Sequence, residues 1–263
     1  MESQNSEDIL ANAIKSVELQ NIELSASTTT TTTTTSNGTT TPTTTNSAAG
    51  GGKEFYGKAQ KYWSEIPATV NGMLGGLGHI SAIDVKGSTE FLKGLKIPGQ
   101  QNALDCGAGI GRVSKNLLMP LFAKVDLVEQ DEHFAKTAKD YCKSDKLGKI
   151  YNMGLQKFTP EEGKYDLIWS QWVLGHLPDN DLLEFYKRVK TGLAKGGYFV
   201  MKDNVTTSGK VEPDEEDSSM TRPLTTFETI LRNAGFKIVK VTRQQGFPKG
   251  LYPVYMIACR PAA

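Results

Sequence analysis

Apolar residues recur along this chain in two rhythms. Short runs at residues 104–106, 125–129, 149–153, 165–171, 198–202, 236–244 and 252–260 are rich in branched and aromatic side chains and read as strands. Between them, apolar residues return every third or fourth position over 112–121, 132–142, 180–193 and 224–234, the spacing of helices with one buried face. Strand and helix alternate from Ala103 onward. That order predicts an α/β fold, a mostly parallel sheet with helices on both faces. The last two strands have no helix between them and suit an antiparallel pair at the sheet edge.

Upstream of the first strand the rhythm changes twice. Phe55, Tyr56, Tyr62 and Trp63 lie on an aromatic helix expected to end near Pro67. Residues 69–80 place Gly72, Gly75, Gly76 and Gly78 among apolar neighbours, which suggests a tight ordered loop, and 83–95 reads as an amphipathic helix. Residues 1–52 form a different kind of segment. Apolar spacing over 8–24 suits a short helix, but a threonine tract and a Ser-Ala-Ala-Gly-Gly-Gly run follow. Such a stretch buries too little apolar surface to offset the entropy of ordering it, so a disordered tail is expected there, with the folded domain over 53–263.

Composition narrows the chemistry. Thirty basic and 29 acidic side chains leave a net charge of +1, so no global field argues for nucleic acid or an anionic membrane. The apolar runs are far shorter than the roughly 20 residues that span a bilayer. The three cysteines show no C-x-x-C spacing, and a polar, acidic start lacks the pattern of a signal peptide, so a reduced cytoplasmic or nuclear location is expected. The three histidines are scattered, and no metal is expected.

The stretch from Asn102 to Arg112 carries the strongest chemical signal. It reads as strand, glycine turn and helix start, with Gly107, Gly109 and Gly111 at G-x-G-x-G spacing behind Asp105. This resembles motif I of class I S-adenosylmethionine-dependent methyltransferases. In open α/β sheets, ligands gather beyond the C-terminal strand ends. That rule collects Glu129 after the second strand, Leu155 and Gln156 after the third, Gln171, Trp172 and His176 after the fourth, and Asp203 and Asn204 after the fifth. Glu129 lies where an acidic group can accept from ribose hydroxyls. Taken alone, each has a plainer reading. Trp172 suits a core, His176 a packed or capping ring, and 212–217 a solvated charge run.

Four separated stretches sharpen the picture. Gly72 to Ile80, Ala103 to Arg112, Ile168 to Leu177, and Lys202-Asp203-Asn204 occur in the order found in the protein N-terminal methyltransferases, which this chain resembles from Phe55 onward. The resemblance implies the class I methyltransferase fold with an N-terminal helical extension. It implies transfer of methyl groups from S-adenosyl-L-methionine to the free α-amine of proteins beginning Xaa-Pro-Lys after loss of the initiator methionine, in mono-, di- or trimethyl form. The product of the donor is S-adenosyl-L-homocysteine.

Position by position, the resemblance places Gly107, Gly109, Arg112, Glu129, Leu155, Gln156 and Gln171 at the cofactor. Arg112 lies near the methionine carboxylate and Gln171 near the sulfonium. Glu129 stands where the family commonly has aspartate. The peptide channel receives Trp63, Leu74, Trp172, Asp214, Ser219 and Tyr252. Asp217, His176 and Asn204 are the catalytic candidates: Asp217 or His176 takes the amine proton, and Asn204 orients the amine. The loop Glu212 to Ser219 departs from the family pattern by one inserted residue, which leaves Glu215 and Glu216 as rivals of Asp214 and Asp217. Two other functions share the fold: a small-molecule N-methyltransferase, and a non-catalytic module that binds N-terminal peptides.

Overall fold

The computed structural model describes residues 48–262. The tail expected over 1–52 and the helix expected over 8–24 lie outside the described residues, except for helical backbone from Ala48. The fold occupies the unit Gly52–Ala263.

Helix α1 (Ala48–Glu65) ends before Pro67, whose ring disfavours helical backbone at the preceding residue. The glycine-rich stretch is more ordered than a loop. It holds a single helical turn, α2 (Val70–Met73), capped by the Thr69 hydroxyl on the Gly72 N–H, and a 3₁₀ turn, Gly78–Ile80. Helix α3 (Ser81–Lys93) follows.

Strand β1 (Asn102–Cys106) then enters the glycine turn. The helix expected over 112–121 is shorter and wider. Ser114–Leu118 adopts i→i+5 bonding, closed by Met119 N on Ser114 O at 2.8 Å. Pro120 supplies the reason for the early stop, because it has no N–H to give and its ring clashes with the carbonyl four residues back. The chain continues through β2 (Lys124–Glu129), α4 (Glu132–Tyr141), β3 (Leu147–Asn152), β4 (Tyr165–Gln171), a 3₁₀ turn (Leu174–His176), α5 (Asp179–Gly192) and β5 (Leu193–Asn204). Two short strands, β6 (Glu212–Asp214) and β7 (Ser219–Thr221), pair antiparallel, and α6 (Leu224–Asn233), β8 (Phe236–Arg243) and β9 (Val254–Pro261) complete the fold.

Seven strands make one sheet in the order β3-β2-β1-β4-β5-β9-β8. Neighbours among β1 to β5 run parallel, while β9 runs antiparallel to both β5 and β8. The expected final hairpin is therefore present, with β8 outermost and β9 wedged against β5. Its burial follows: β4 is buried at every position, whereas β8 alternates between buried or half-buried and exposed.

Strand alternation sorts the core into two layers. Leu104 and Cys106 face Phe185 and Tyr186 of α5 and Phe227 of α6. Ala103 faces the other way, toward Phe91 of α3, Leu118 and Ala138 of α4. On α5 the buried positions Leu182, Phe185, Tyr186 and Val189 keep the three-and-four spacing of one helix face. Each such side chain contributes roughly 1.5–3 kcal/mol on burial. The order reversal in the sheet falls beside β1, so the glycine turn, β4 and β5 all deliver their C-terminal ends to one place.

Candidate active site

Two cavities open at those strand ends. The first, about 960 Å³, is lined by the glycine turn, Glu129, Phe134, Met153 to Gln156, and Gln171. The second, about 950 Å³, is lined by Leu74, Leu77, Asp203, Asn204, Asp217, Ser219, Phe247 and Tyr252. Trp63, Met73, Trp172 and His176 line both, so the two spaces meet across these side chains.

The glycine turn is held from below. Gly107 N and Ala108 N both donate to Val128 O, at 2.9 and 3.0 Å. Gly107 and Gly109 adopt φ of 74° and 54°, the left-handed region that glycine enters without strain. Beside the turn, Glu129 Oε2 accepts from Gly109 N at 2.7 Å and Oε1 from Asp131 N at 2.8 Å. Its extra methylene, relative to aspartate, lets it reach both backbone donors. Burial still dominates and pushes its carboxyl up to about 7.

Arg112 is buried and paired with Asp84 at 2.8 Å, with its guanidinium 5.6 Å from the Trp172 ring centre. Gln171 accepts from Trp169 Nε1 at 3.1 Å through Oε1, and its amide nitrogen donates to Asp84. Leu155, Met153 and Phe134 give the far end of the cavity an apolar surface. A glycine-rich turn, a buried carboxylate, a guanidinium and an apolar end together fit the nucleoside and amino-acid parts of S-adenosylmethionine.

At the junction, Trp172 has φ of 53°, a conformation uncommon for a bulky residue, and its N–H donates to Lys202 O at 3.0 Å. Its ring lies 6.3 Å from that of Phe247 across the second cavity. Ser218, at φ of 52°, turns the acidic loop back toward the site.

His176 is committed at both nitrogens. Trp63 Nε1–H donates to Nε2 at 3.0 Å, which leaves the ring proton on Nδ1, facing Ser218 O at 3.2 Å. Burial lowers its pKa, partly offset by the charge on Asp217, so the ring is neutral. Its Nε2 lone pair therefore faces the Trp63 indole in this arrangement. Asp217 is differently placed: its buried Oδ1 finds no partner among the described residues. The same holds for Oδ2 of Asp203, a residue 7% exposed whose carboxyl burial pushes up to about 7. Two carboxylates therefore line the second cavity, each with an oxygen unengaged.

Every cofactor candidate named from the sequence lines the first cavity, and Trp63, Leu74, Trp172, Ser219, Tyr252, Asn204 and Asp217 line the second. Asp214 does not. It is exposed on β6, opposite Ser219, with Oδ1 accepting from Glu216 N at 2.9 Å. Glu215 to Ser218 form the tip of this hairpin. Met73, which reaches over Gly109, and Phe247 were not read from the sequence as site residues, because their apolar side chains look like core. Among the described residues, no group of three or more His, Cys, Asp or Glu is arranged to hold a metal ion, and no helix is long and apolar enough to cross a membrane.

The profile of the AdoMet-dependent proline di-methyltransferases matches residues 51–260. The chain is 61% identical to alpha N-terminal protein methyltransferase 1 of Drosophila melanogaster over 215 residues, 80% of this chain and 78% of that protein. It is 46% identical to N-terminal Xaa-Pro-Lys N-methyltransferase 1 of Xenopus tropicalis over 215 residues, 79% of this chain and 96% of that protein. Among solved structures it is similar to a SAM-dependent methyltransferase of Leishmania major, with 35% identity, a TM-score of 0.78, and coverage of 88% of this chain and 96% of that one.

Proposed function

We infer the work of each cavity from one premise: the chain belongs to the family of AdoMet-dependent proline di-methyltransferases. It transfers methyl groups from S-adenosylmethionine to the free α-amino group of proteins that begin Xaa-Pro-Lys. The observation that carries the division of labour is the shared wall. A cofactor-shaped cavity and a cavity lined by aromatic and acidic residues meet at Trp63, Met73, Trp172 and His176.

When bound, S-adenosylmethionine supplies a methyl group on a sulfonium, open to in-line displacement, so alignment with the nucleophile provides much of the rate. Arg112 and Gln171 hold the methionine end of the first cavity. Glu129 accepts from the ribose hydroxyls, and Leu155 and Gln156 flank the base. In the second cavity Asn204 orients the α-amine. That amine has a free pKa of about 7.7–8.0 and must shed a proton before its lone pair can attack. Asp217, with an unengaged oxygen, takes that proton. His176 holds the Ser218 carbonyl and so fixes the loop that carries Asp217. The Trp172 face receives the proline ring, whose fixed φ presets an extended chain. The third-position lysine meets the exposed carboxylates of the β6–β7 hairpin, Asp214 among them, at the cavity rim. The three cysteines, unpaired and buried, support a place in the cytoplasm, the nucleus or both.

The direct test uses labelled donor with a Ser-Pro-Lys peptide and its N-acetylated copy. Label is expected in the free peptide alone. Equal labelling of both would reject α-amine chemistry, and labelling of neither, with peptide binding intact, would favour a binding module.

Glu129 gives this assignment a pH signature. Its carboxyl titrates at about 7 in the free protein, and only the ionised form accepts both ribose hydroxyls. Binding therefore favours the ionised form and lowers that pKa in the complex. Affinity for S-adenosylhomocysteine should be level above about pH 7 and fall below it, by up to about tenfold per pH unit. Calorimetric titration across this range checks it, and Glu129→Gln should flatten the profile. A wild-type affinity that rises toward acid pH would remove Glu129 from the ribose.

A further inference from the structure

Helix α3 lines neither cavity at Asp84, yet this aspartate is 1% exposed and gathers donors from three separate strand ends. Its Oδ2 accepts from Arg112 Nη1 at 2.8 Å. Its Oδ1 lies 2.6 Å from Lys202 Nζ. Gln171 Nε2 sits 2.9 and 3.0 Å from the two oxygens. Lys202, fully buried, spreads its remaining contacts over Ser88 Oγ at 2.9 Å, Gln244 Oε1 at 2.7 Å and the Asp84 carbonyl at 3.1 Å.

Each of these donors has a second end that matters. Arg112 follows the glycine turn and lines the first cavity, as does Gln171 at the end of β4. Lys202 opens the Lys202-Asp203-Asn204 run that closes β5, and its carbonyl accepts the N–H of Trp172. A guanidinium and an amide in a cavity wall are useful only if their directions are fixed, because a buried donor that turns away leaves its ligand group unpaired. A single carboxylate behind them, itself locked by two buried cations, fixes both.

We propose that Asp84 is a positioning residue. From a helix outside both cavities, its carboxylate sets the directions of Arg112 and Gln171 toward the methionine end of the cofactor and anchors, through Lys202, the strand end that carries Asn204. The cofactor cavity and the amine-orienting residue thus share one buried anchor. This inference rests on the placement of Arg112 at the cofactor carboxylate given above.

The test compares affinity for S-adenosylhomocysteine with affinity for its decarboxylated analogue, measured by calorimetry. Wild-type protein should prefer the carboxylate-bearing ligand. In Asp84→Asn that preference should shrink by about ten- to hundredfold, the equivalent of the ~1.5–3 kcal/mol of a hydrogen bond to a charged group. General loosening of the fold would weaken both ligands alike and leave their ratio unchanged. Asp84→Asn leaves two buried cations facing a neutral amide, so the double variant Asp84→Asn/Lys202→Met, which removes one charge of each sign, guards against loss of folding. Lys202→Met alone keeps the Asp84–Arg112 pair. It should retain the ligand preference while lowering kcat at saturating cofactor.

Undiminished preference in Asp84→Asn or the double variant overturns the proposal and leaves the placement of Arg112 standing. No preference in the wild type removes both, although the peptide-labelling result would be untouched. Failure of both Asp84 variants to fold, with Lys202→Met folding normally, would assign Asp84 to fold maintenance and also overturns it.

Discussion

Asp217→Asn should lower the turnover of a Ser-Pro-Lys peptide by about 10²–10⁴-fold, the usual contribution of a positioned proton acceptor, with no change in cofactor affinity. The substitution keeps the shape of the side chain and removes its charge. Of the two cavities Asp217 lines the second, and its buried Oδ1 has no partner among the described residues, so the loss should fall on the amine rather than on the methyl donor. The pH profile gives a second reading with a definite sign. As pH rises through the amine pKa of about 7.7–8.0, more of the peptide arrives already deprotonated. The deficit of the variant should therefore narrow above about pH 8 and be widest near pH 6. Initial rates at saturating donor across that range check both statements. A parallel loss of cofactor affinity would show that Asp217 has been placed in the wrong cavity. A larger loss from Asp203→Asn would move the proton to that neighbour, which also has an unengaged oxygen.

The other large effect is expected at Gly107. With φ at 74°, an added Cβ enters a region that costs an L-residue roughly 1–2 kcal/mol. It also meets three Val173 side-chain atoms at 2.5, 2.6 and 2.7 Å, closer than real Cβ contacts come. Valine is stiff at χ1 and cannot swing clear cheaply, so overpacking adds about 1–3 kcal/mol. Val173 lines the first cavity and opens the turn that carries His176, and Gly107 lines the same cavity. Gly107→Ala should therefore lower the melting temperature and weaken S-adenosylhomocysteine by about tenfold or more, each tenfold being about 1.4 kcal/mol. Adding Val173→Ala removes the two Cγ contacts and should recover their share of the loss, while the contact with the retained Cβ of residue 173, at 2.6 Å, and the backbone cost remain. Thermal melts with calorimetric titration separate the two. A Gly107→Ala protein with wild-type melting and affinity would mean that the turn relaxes freely.

Much of this architecture was visible before any coordinates. Strands such as β4 stand out because a sheet buried on both faces needs an apolar run, and helices such as α5 because one face must repeat every three or four residues. Glu129 followed from its place after β2. The residues whose meaning depends on distant partners were hidden. Asp84 reads as one more polar position on an amphipathic helix, and only folding brings Arg112, Gln171 and Lys202 against it. The β6–β7 hairpin is too short to leave a period and looks like a run of acids. His176 was legible as a site residue, but not its engagement by Trp63, an indole 113 positions away in sequence. Roles at the individual residues came from likeness to a family, since periodicity assigns faces and not tasks.

The side chains common to both cavities have a thermodynamic consequence. Trp63, Met73, Trp172 and His176 cannot settle around an occupant on one side without altering the surface offered on the other. Whatever factor the donor contributes to the affinity for a peptide, the peptide must return to the affinity for the donor, because the coupling free energy belongs to the ternary complex and is blind to order of arrival.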